Sequence, residues 1–172
     1  RSGLTKFMAA RPGGIAWITQ DLRTIITSGI TPPGAGTMPE QSQSGRVVTL
    51  VVVSRGTVYV ANAGDTSWTT PTNSTGNTYA LNTSGVMMSA VNNQKLWFVD
   101  GTNYVKYTPA TNAVTLWTAT AGSLPVDSSS NGARLICTWR GRTVLSGLLK
   151  DPQNWFMSRV SDPTDFNYAP VS

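Results

Sequence analysis

The 172-residue sequence contains no histidine and one cysteine. Without histidine, the chain lacks the side chain that titrates near neutral pH, and a Ser-His-Asp triad is excluded. One cysteine excludes an internal disulfide and a thiolate metal cluster. Because Cys137 stands in the apolar run "RLICTW", and cysteine is among the most buried residue types, we expect it in the core. We therefore predict neither a metal nor another cofactor.

Charge is also scarce, since Asp, Glu, Lys and Arg make up 12% of the residues, about half the usual share. The net charge of +5 is scattered, and its tightest group is Arg134, Arg140 and Arg142. Nucleic-acid binders concentrate such charge, so we expect no more than non-specific proximity to DNA. Most of the eight acidic residues stand beside Gly, Pro, Ser or Thr, where aspartate stabilises turns. The sequence therefore predicts that the protein is not an enzyme.

Long hydrophobic runs are missing as well. The run "VVTLVVV" is far too short to cross a bilayer, and no basic start followed by an apolar stretch marks a signal peptide. We expect no membrane span. Because the first residue is Arg1 rather than Met, we expect a fragment, a processed product or part of a larger protein.

Thr, Ser, Asn and Gly are plentiful, and they favour strands and turns. Three segments share one pattern, in which two apolar runs flank a short polar turn: "VVTLVVVSRGTVYVANAG", "VMMSAVNNQKLWFVDG" and "RLICTWRGRTVLSG". Their turns align at Gly56, Gln94 and Gly141. Each segment is typical of a β-hairpin, and further strands are predicted at "YVKYT", "AVTLWTA" and "NWFMSRV".

Hairpins that recur about every 40 residues indicate an all-β protein with β-propeller-like blades. We predict about three such antiparallel repeats over residues 46–172, with a β-sandwich as the alternative. Residues 1–45 do not follow the repeat and include the linker-like "ITPPGAGTMPEQSQSG". We predict an irregular N-terminal arm there that contacts another copy of the chain. Trp17 and Ile18 are its candidate anchors, and Pro32 and Pro33 would stiffen it.

The tryptophans form an informative set. Of the six tryptophans, Trp17 lies in the arm. We expect the other five to pack between blades; they are Trp68, Trp97, Trp117, Trp139 and Trp155. An exposed tryptophan would instead stack on a sugar ring. A carbohydrate- or receptor-binding propeller therefore remains the alternative function.

The stretch "DPQNWFMSRVSDPTDFNYAP" combines two Asp-Pro steps with adjacent aromatics. Its pattern predicts a strand with Trp155 and Phe156 on opposite faces, followed by a turn at Asp162 and Pro163. We expect Trp155 to be buried, so that Trp155→Ala would cost about 3–5 kcal/mol. Asp165 and Phe166 complete this structural signature. The loop offers too few oxygen ligands to favour calcium.

Together with the preceding "TWRGRTVLSG", this stretch resembles a pattern found in structural proteins of tailed bacteriophages. There an "R-G-R-hydrophobic" hairpin leads into "P-x-x-Trp-Phe-x-Ser" and "Asp-Pro-x-Asp-Phe". The resemblance covers residues 135–170, and the similar proteins include propeller-bearing components of tail nozzles and hubs. It implies a virion protein of the tail or neck that assembles in the bacterial host cytoplasm. Its implied partners are copies of itself in an oligomeric ring and other tail, neck or portal-proximal proteins.

Overall fold

The structure is a computed structural model, and it describes residues 17–25, 46–54, 56–62, 67–73, 81 and 87–168. In this part of the chain, eleven β-strands and one short 3-10 turn at Pro109–Thr111 follow one another. The strands are β1 (Trp17–Ile25), β2 (Arg46–Ser54), β3 (Thr57–Asn62), β4 (Thr72–Asn73), β5 (Met88–Asn92), β6 (Lys95–Val99), β7 (Tyr104–Thr108), β8 (Ala113–Leu116), β9 (Leu135–Trp139), β10 (Arg142–Ser146) and β11 (Trp155–Met157).

The strands form three sheets. The first sheet has the order β1-β2-β3, the middle sheet β4-β8-β7-β6-β5, and the third sheet β11-β10-β9. Every pairing is antiparallel except the two-residue parallel pairing of β4 with β8. The predicted all-β fold with antiparallel sheets is thus confirmed.

The three predicted hairpins are present, and each lies within its own sheet. The turn of the second hairpin has Asn93 and Gln94 at φ values of 48° and 56°, and that of the third has Arg140 and Gly141 at 47° and 75°. Gly56 takes the equivalent place in the first turn, with φ 75°. Two consecutive left-handed residues give the turn a twist that matches its strands, which explains why these turns are short and polar.

The middle sheet lies between the other two. Leu96 and Phe98 of β6 belong to a core shared with the first sheet, whereas Trp97 and Val99 belong to a core shared with the third. Successive residues of β6 are therefore buried on opposite faces. This explains why "KLWFV" is apolar without the alternation of a half-exposed strand.

The sheets differ in size: the middle sheet has four antiparallel strands, β5–β8, and the third sheet has three. In addition, β1 pairs with β2, which places Trp17 opposite Val53 and Ile18 opposite Val52. Residues 17–25 are thus part of the first sheet, which corrects the expectation of an irregular arm over that stretch. Pro32 and Pro33 lie outside the described residues.

Gly122 provides a test of the packing between the middle and third sheets. Its φ is 68°, and a β-carbon there would come within 2.4 Å of the Phe166 carbonyl oxygen. We expect Gly122→Ala to lower the free energy of unfolding by at least ~2 kcal/mol, because strain and a backbone clash act together. Gly141→Ala is the matched control, since its φ is 75° but its nearest neighbour would lie 3.4 Å away. Equal losses in urea unfolding would show that the clash is absent.

Candidate interaction surface

Residues 162–166 of the signature segment, called the clasp below, fold back on the residues that directly follow β8. The indole N–H of Trp117 donates to the Pro163 carbonyl at 2.9 Å, and the Phe166 N–H donates to the Ala121 carbonyl at 2.8 Å. Phe166 is buried, and its ring lies 6.2 Å from that of Trp117. The clasp thereby fixes the end of the third sheet relative to the strand that precedes Trp117.

The two carboxylates of the clasp accept hydrogen bonds in its turns. Asp162 Oδ1 accepts from the Thr164 hydroxyl at 2.7 Å and from the Thr164 N–H at 2.9 Å, and these bonds hold the pKa of Asp162 below its usual value. Asp165 Oδ1 accepts from the Asn167 N–H at 2.8 Å, and its Oδ2 lies 3.6 Å from Arg159 Nε. Both side chains therefore have partners within the fold.

Two residues expected in the core are exposed. Trp155 is 62% exposed, and Cys137 also lies at the surface, so both predictions of burial are wrong. The reason is that the third sheet packs on the middle sheet with one face only. Phe156, on the opposite face of β11 from Trp155, does pack against the shared core.

We define the outer face of the third sheet by the strand registers. Residues that pair across strands point to the same side, so one alternating set faces the middle sheet and the other faces away. The outer face consists of Leu135, Cys137, Trp139, Arg142, Val144, Ser146, Trp155 and Met157. Its largest apolar members are about half exposed or more, at 50% for Leu135 and 49% for Trp139 beside the 62% of Trp155.

Positive charge lies at one margin of the outer face. The guanidinium of Arg140, in the β9–β10 turn, lies 4.9 Å from the ring centre of Trp139. Arg142 Nη1 donates to the Ser158 carbonyl at 2.8 Å. The interior of the face is therefore uncharged, and the cations border it at the end of the hairpin.

An open cleft of about 320 Å³ adjoins β11. It is lined by Gly122, Ser123, Leu124, Pro125, Val126, Phe156, Phe166, Asn167 and Tyr168. The Tyr168 hydroxyl accepts a hydrogen bond from the Met157 N–H at 3.1 Å, and this tyrosine is otherwise largely exposed. Because Met157 N–H points away from β10, this bond covers part of the free edge of the third sheet.

Hydrogen bonds from two side chains fix the loop that carries the cleft. The Tyr104 hydroxyl donates to the Pro125 carbonyl at 2.6 Å and accepts from the Ala133 N–H at 2.7 Å. Asp127 accepts from Asn131 and from the N–H groups of Ser129 and Lys150. Burial raises the pKa of Asp127, but these hydrogen bonds outweigh it and the pKa lies below its usual value. Hydrogen bonds from Tyr104 and Asp127 therefore fix the conformation of this loop.

The other tryptophans divide between core and surface. Trp97 and Trp117 are buried, as expected, and Trp68 is half-buried. Trp139 and Trp155 are exposed on the outer face, against expectation. Sequence reasoning missed this face because "LICTW" is apolar or β-branched at every position and gives no sign of which side is covered.

Within the described residues, no group of three or more cysteine and acidic side chains is placed to hold a metal ion. In the same part of the chain, no helix has the length and hydropathy needed to cross a membrane. No protein-family model, curated protein or solved structure matches the chain.

Proposed function

We propose that the protein is a non-enzymatic structural component of a tailed-bacteriophage virion, belonging to the tail or neck and working as an oligomeric ring around the DNA passage. One observation carries the proposal. The segment that resembles such proteins uses its distinctive residues for architecture, since Pro163 and Phe166 secure the third sheet through Trp117. A motif with that use belongs to a building element rather than to a reaction centre.

The stacking of the sheets supports blades of the propeller type. In a propeller, each small antiparallel sheet packs its faces on the sheets before and after it. The middle sheet does so, with Leu96 facing one neighbour and Trp97 the other. A β-sandwich consists of two packed sheets, so a third sheet in series favours blades over this alternative.

The charge distribution fits assembly beside DNA. Few charges lower the desolvation cost of subunit contacts, and a net charge of +5 gives a weak attraction to a polyanion without a clustered binding site. The proposed partners are further copies of the chain and neighbouring tail, neck or portal-proximal proteins.

Electron microscopy of the purified full chain tests this function. We expect closed rings of uniform diameter at high protein concentration, with sedimentation showing one discrete large species. Phe166→Ala, which removes the buried ring of the clasp, should abolish rings while the chain still expresses. Particles without rotational symmetry, or small species alone at all concentrations, would contradict the proposal.

A carbohydrate-binding module is the second candidate, favoured by the exposure of Trp139 and Trp155 on one face. The register places them at opposite ends of that face, roughly 16 Å apart, a distance suited to several consecutive sugar rings rather than one. Titration with oligosaccharides, followed by tryptophan fluorescence, tests this candidate. Saturable quenching that Trp155→Ala removes would support it, whereas unchanged fluorescence with every glycan would exclude it.

A further inference from the structure

We propose that Asn131 is a modification site that the fold protects. Its side-chain amide can condense with the Gly132 nitrogen and lose ammonia, and the folded loop around Asp127 suppresses this reaction. Deamidation of Asn131 then marks chains in which the loop has opened. This inference goes beyond the proposed function and does not depend on it.

The sequence contains a single asparagine that is followed by glycine, Asn131. Glycine has no side chain to shield its backbone nitrogen and leaves the backbone free to bend toward the preceding side chain. In the reaction, the Gly132 nitrogen loses its proton to a base in the solvent and bonds to Cγ of Asn131. The bond from Cγ to Nδ2 breaks, and ammonia leaves with a proton from water. Water then opens the cyclic imide at either carbonyl, which gives aspartate or isoaspartate at position 131.

The attacking nitrogen is engaged in the folded chain. The Gly132 N–H donates to the Gly101 carbonyl at 3.0 Å, and Gly132 is buried. The reaction needs this nitrogen without its proton, and a buried hydrogen bond both fixes the nitrogen and keeps the base in the solvent away from the proton. The backbone half of the reaction is therefore suppressed while the loop is closed.

The side chain that would be attacked is held as well. Asn131 Nδ2 donates to both carboxylate oxygens of Asp127, at 3.2 and 3.0 Å, and the Asn131 N–H donates to Oδ1 at 2.9 Å. In return, the Asp127 N–H donates to the Asn131 carbonyl at 3.0 Å. The imide ring includes both the side chain and the backbone of Asn131, so closing it requires changes in torsion angles that these hydrogen bonds oppose.

Asp127 has further partners of its own. Its carboxylate also accepts from the N–H groups of Ser129 and Lys150, at 2.8 and 3.1 Å. Hydrogen bonds to an ionised acceptor are roughly twice as strong as those between neutral groups. Asn131 is therefore released only when several charge-assisted hydrogen bonds break, and the open loop is rare.

Packing explains why the reactive pair of residues is kept at this place. A β-carbon at Gly132 would lie 2.9 Å from Cε2 of Tyr104, whose hydroxyl also accepts from the Ala133 N–H at 2.7 Å. A bulkier residue, which would slow the reaction by shielding the nitrogen, does not fit there. The fold thus needs the glycine and protects the asparagine before it.

The products of the reaction do not fit the loop. Aspartate at position 131 has no side-chain N–H to donate to Asp127, and it adds a second carboxylate beside the first. Isoaspartate in addition routes the backbone through the former side chain. We therefore expect the deamidated chain to unfold at a lower urea concentration than the parent chain.

Mass spectrometry of the full chain after incubation tests the protection. The parent chain is kept folded in mildly alkaline buffer, or unfolded in the same buffer with urea, and conversion of Asn131 is followed in a proteolytic peptide. We expect conversion at least about a hundredfold faster in the unfolded chain, because several hydrogen bonds to a carboxylate keep the open loop below about 1% of the population. Equal rates in the two conditions would overturn the proposal.

Alanine variants identify the protecting residue. Asp127→Ala removes the acceptor of the Asn131 amide and should speed conversion in the folded chain by about tenfold or more. Asp127→Asn, which keeps one acceptor oxygen, should give a smaller increase and takes the place of Asp127→Ala if that variant does not fold. Asp151→Ala is the matched control, since Asp151 Oδ2 accepts from Asn154 Nδ2 at 2.7 Å but Trp155 follows Asn154. It should leave Asn154 intact and conversion of Asn131 as slow as in the parent.

The variants and the product supply the contrary outcomes. A folded Asp127→Ala chain that converts Asn131 as slowly as the parent would overturn the protecting role of Asp127. A deamidated chain with the urea midpoint of the parent would show that the product does rebuild the loop, against the proposal. Ring formation, which tests the proposed function, is measured separately and enters none of these rates.

Discussion

Trp117→Ala should lower the free energy of unfolding by about 3–5 kcal/mol, whereas Trp155→Ala should lower it by less than about 0.5 kcal/mol. Both substitutions remove the same side chain, but Trp117 is 2% exposed and Trp155 is 62% exposed. The comparison therefore isolates burial from the identity of the residue.

The large expected loss for Trp117 has two sources. Its ring centre lies 4.7 Å from that of Trp97 and 5.5 Å from that of Tyr104, so truncation opens a cavity inside an aromatic cluster. Truncation also removes the donor to the Pro163 carbonyl, which loosens the clasp around Phe166. Both effects act on the contact between the middle and third sheets.

Urea unfolding of the two variants beside the parent chain measures the difference. The slope of free energy against denaturant should stay the same for Trp155→Ala, since nothing buried changes. Similar losses for the two variants would mean that Trp155 is covered or that Trp117 is not part of the core.

The local features of this fold are readable in the sequence because they depend on neighbouring residues. The turns at Gln94 and Gly141 are short and polar between apolar runs, and a hairpin needs little more than that. The consecutive apolar residues of β6 likewise indicate a strand buried on both faces. Fold class and hairpins could thus be predicted from short windows.

The features that decide the candidate surface depend on distant residues. Whether Cys137 and Trp155 are buried depends on how many neighbours the third sheet has, and no residue near them specifies that number. Trp117 and Pro163 are 46 residues apart in the chain, yet they share the hydrogen bond that positions the clasp. The pairing of β1 with β2 likewise crosses the linker-like stretch between them. Contacts of this range leave no pattern in a local window.

Tyr104 is the polar counterpart of Trp117 in the same core. Its hydroxyl joins two loop backbones, since it donates to the Pro125 carbonyl and accepts from the Ala133 N–H. We expect Tyr104→Phe to lower the free energy of unfolding by about 1–3 kcal/mol, because both backbone groups lose their partner where water has little access. Tyr168→Phe is the control and should change it little, since Tyr168 is 64% exposed.

The same residue should make the protein sensitive to alkali. Burial raises the pKa of Tyr104 from 10.0 to about 12, although the hydrogen bond from Ala133 opposes the shift, and burial raises the pKa of Tyr107 to about 12 as well. Below pH 10 both tyrosines are neutral in the folded and unfolded chains, so their contribution to stability is fully present. Between pH 10 and pH 12 the unfolded chain ionises first, and stability falls as the pH rises.

Replacing Tyr104 with Phe removes one of these two groups. The variant should be less stable than the parent chain at pH 9. The difference in unfolding free energy should narrow toward pH 12, because the parent chain loses the stabilisation that comes from the neutral Tyr104 and the variant never had it. Urea midpoints measured at intervals over this pH range follow the change in stability. Tyrosinate absorbance recorded in parallel follows the ionisation of the tyrosines. A difference in unfolding free energy that stays constant with pH would mean that Tyr104 ionises at its ordinary pKa in the folded chain, and the burial of its hydroxyl would then not describe the protein in solution.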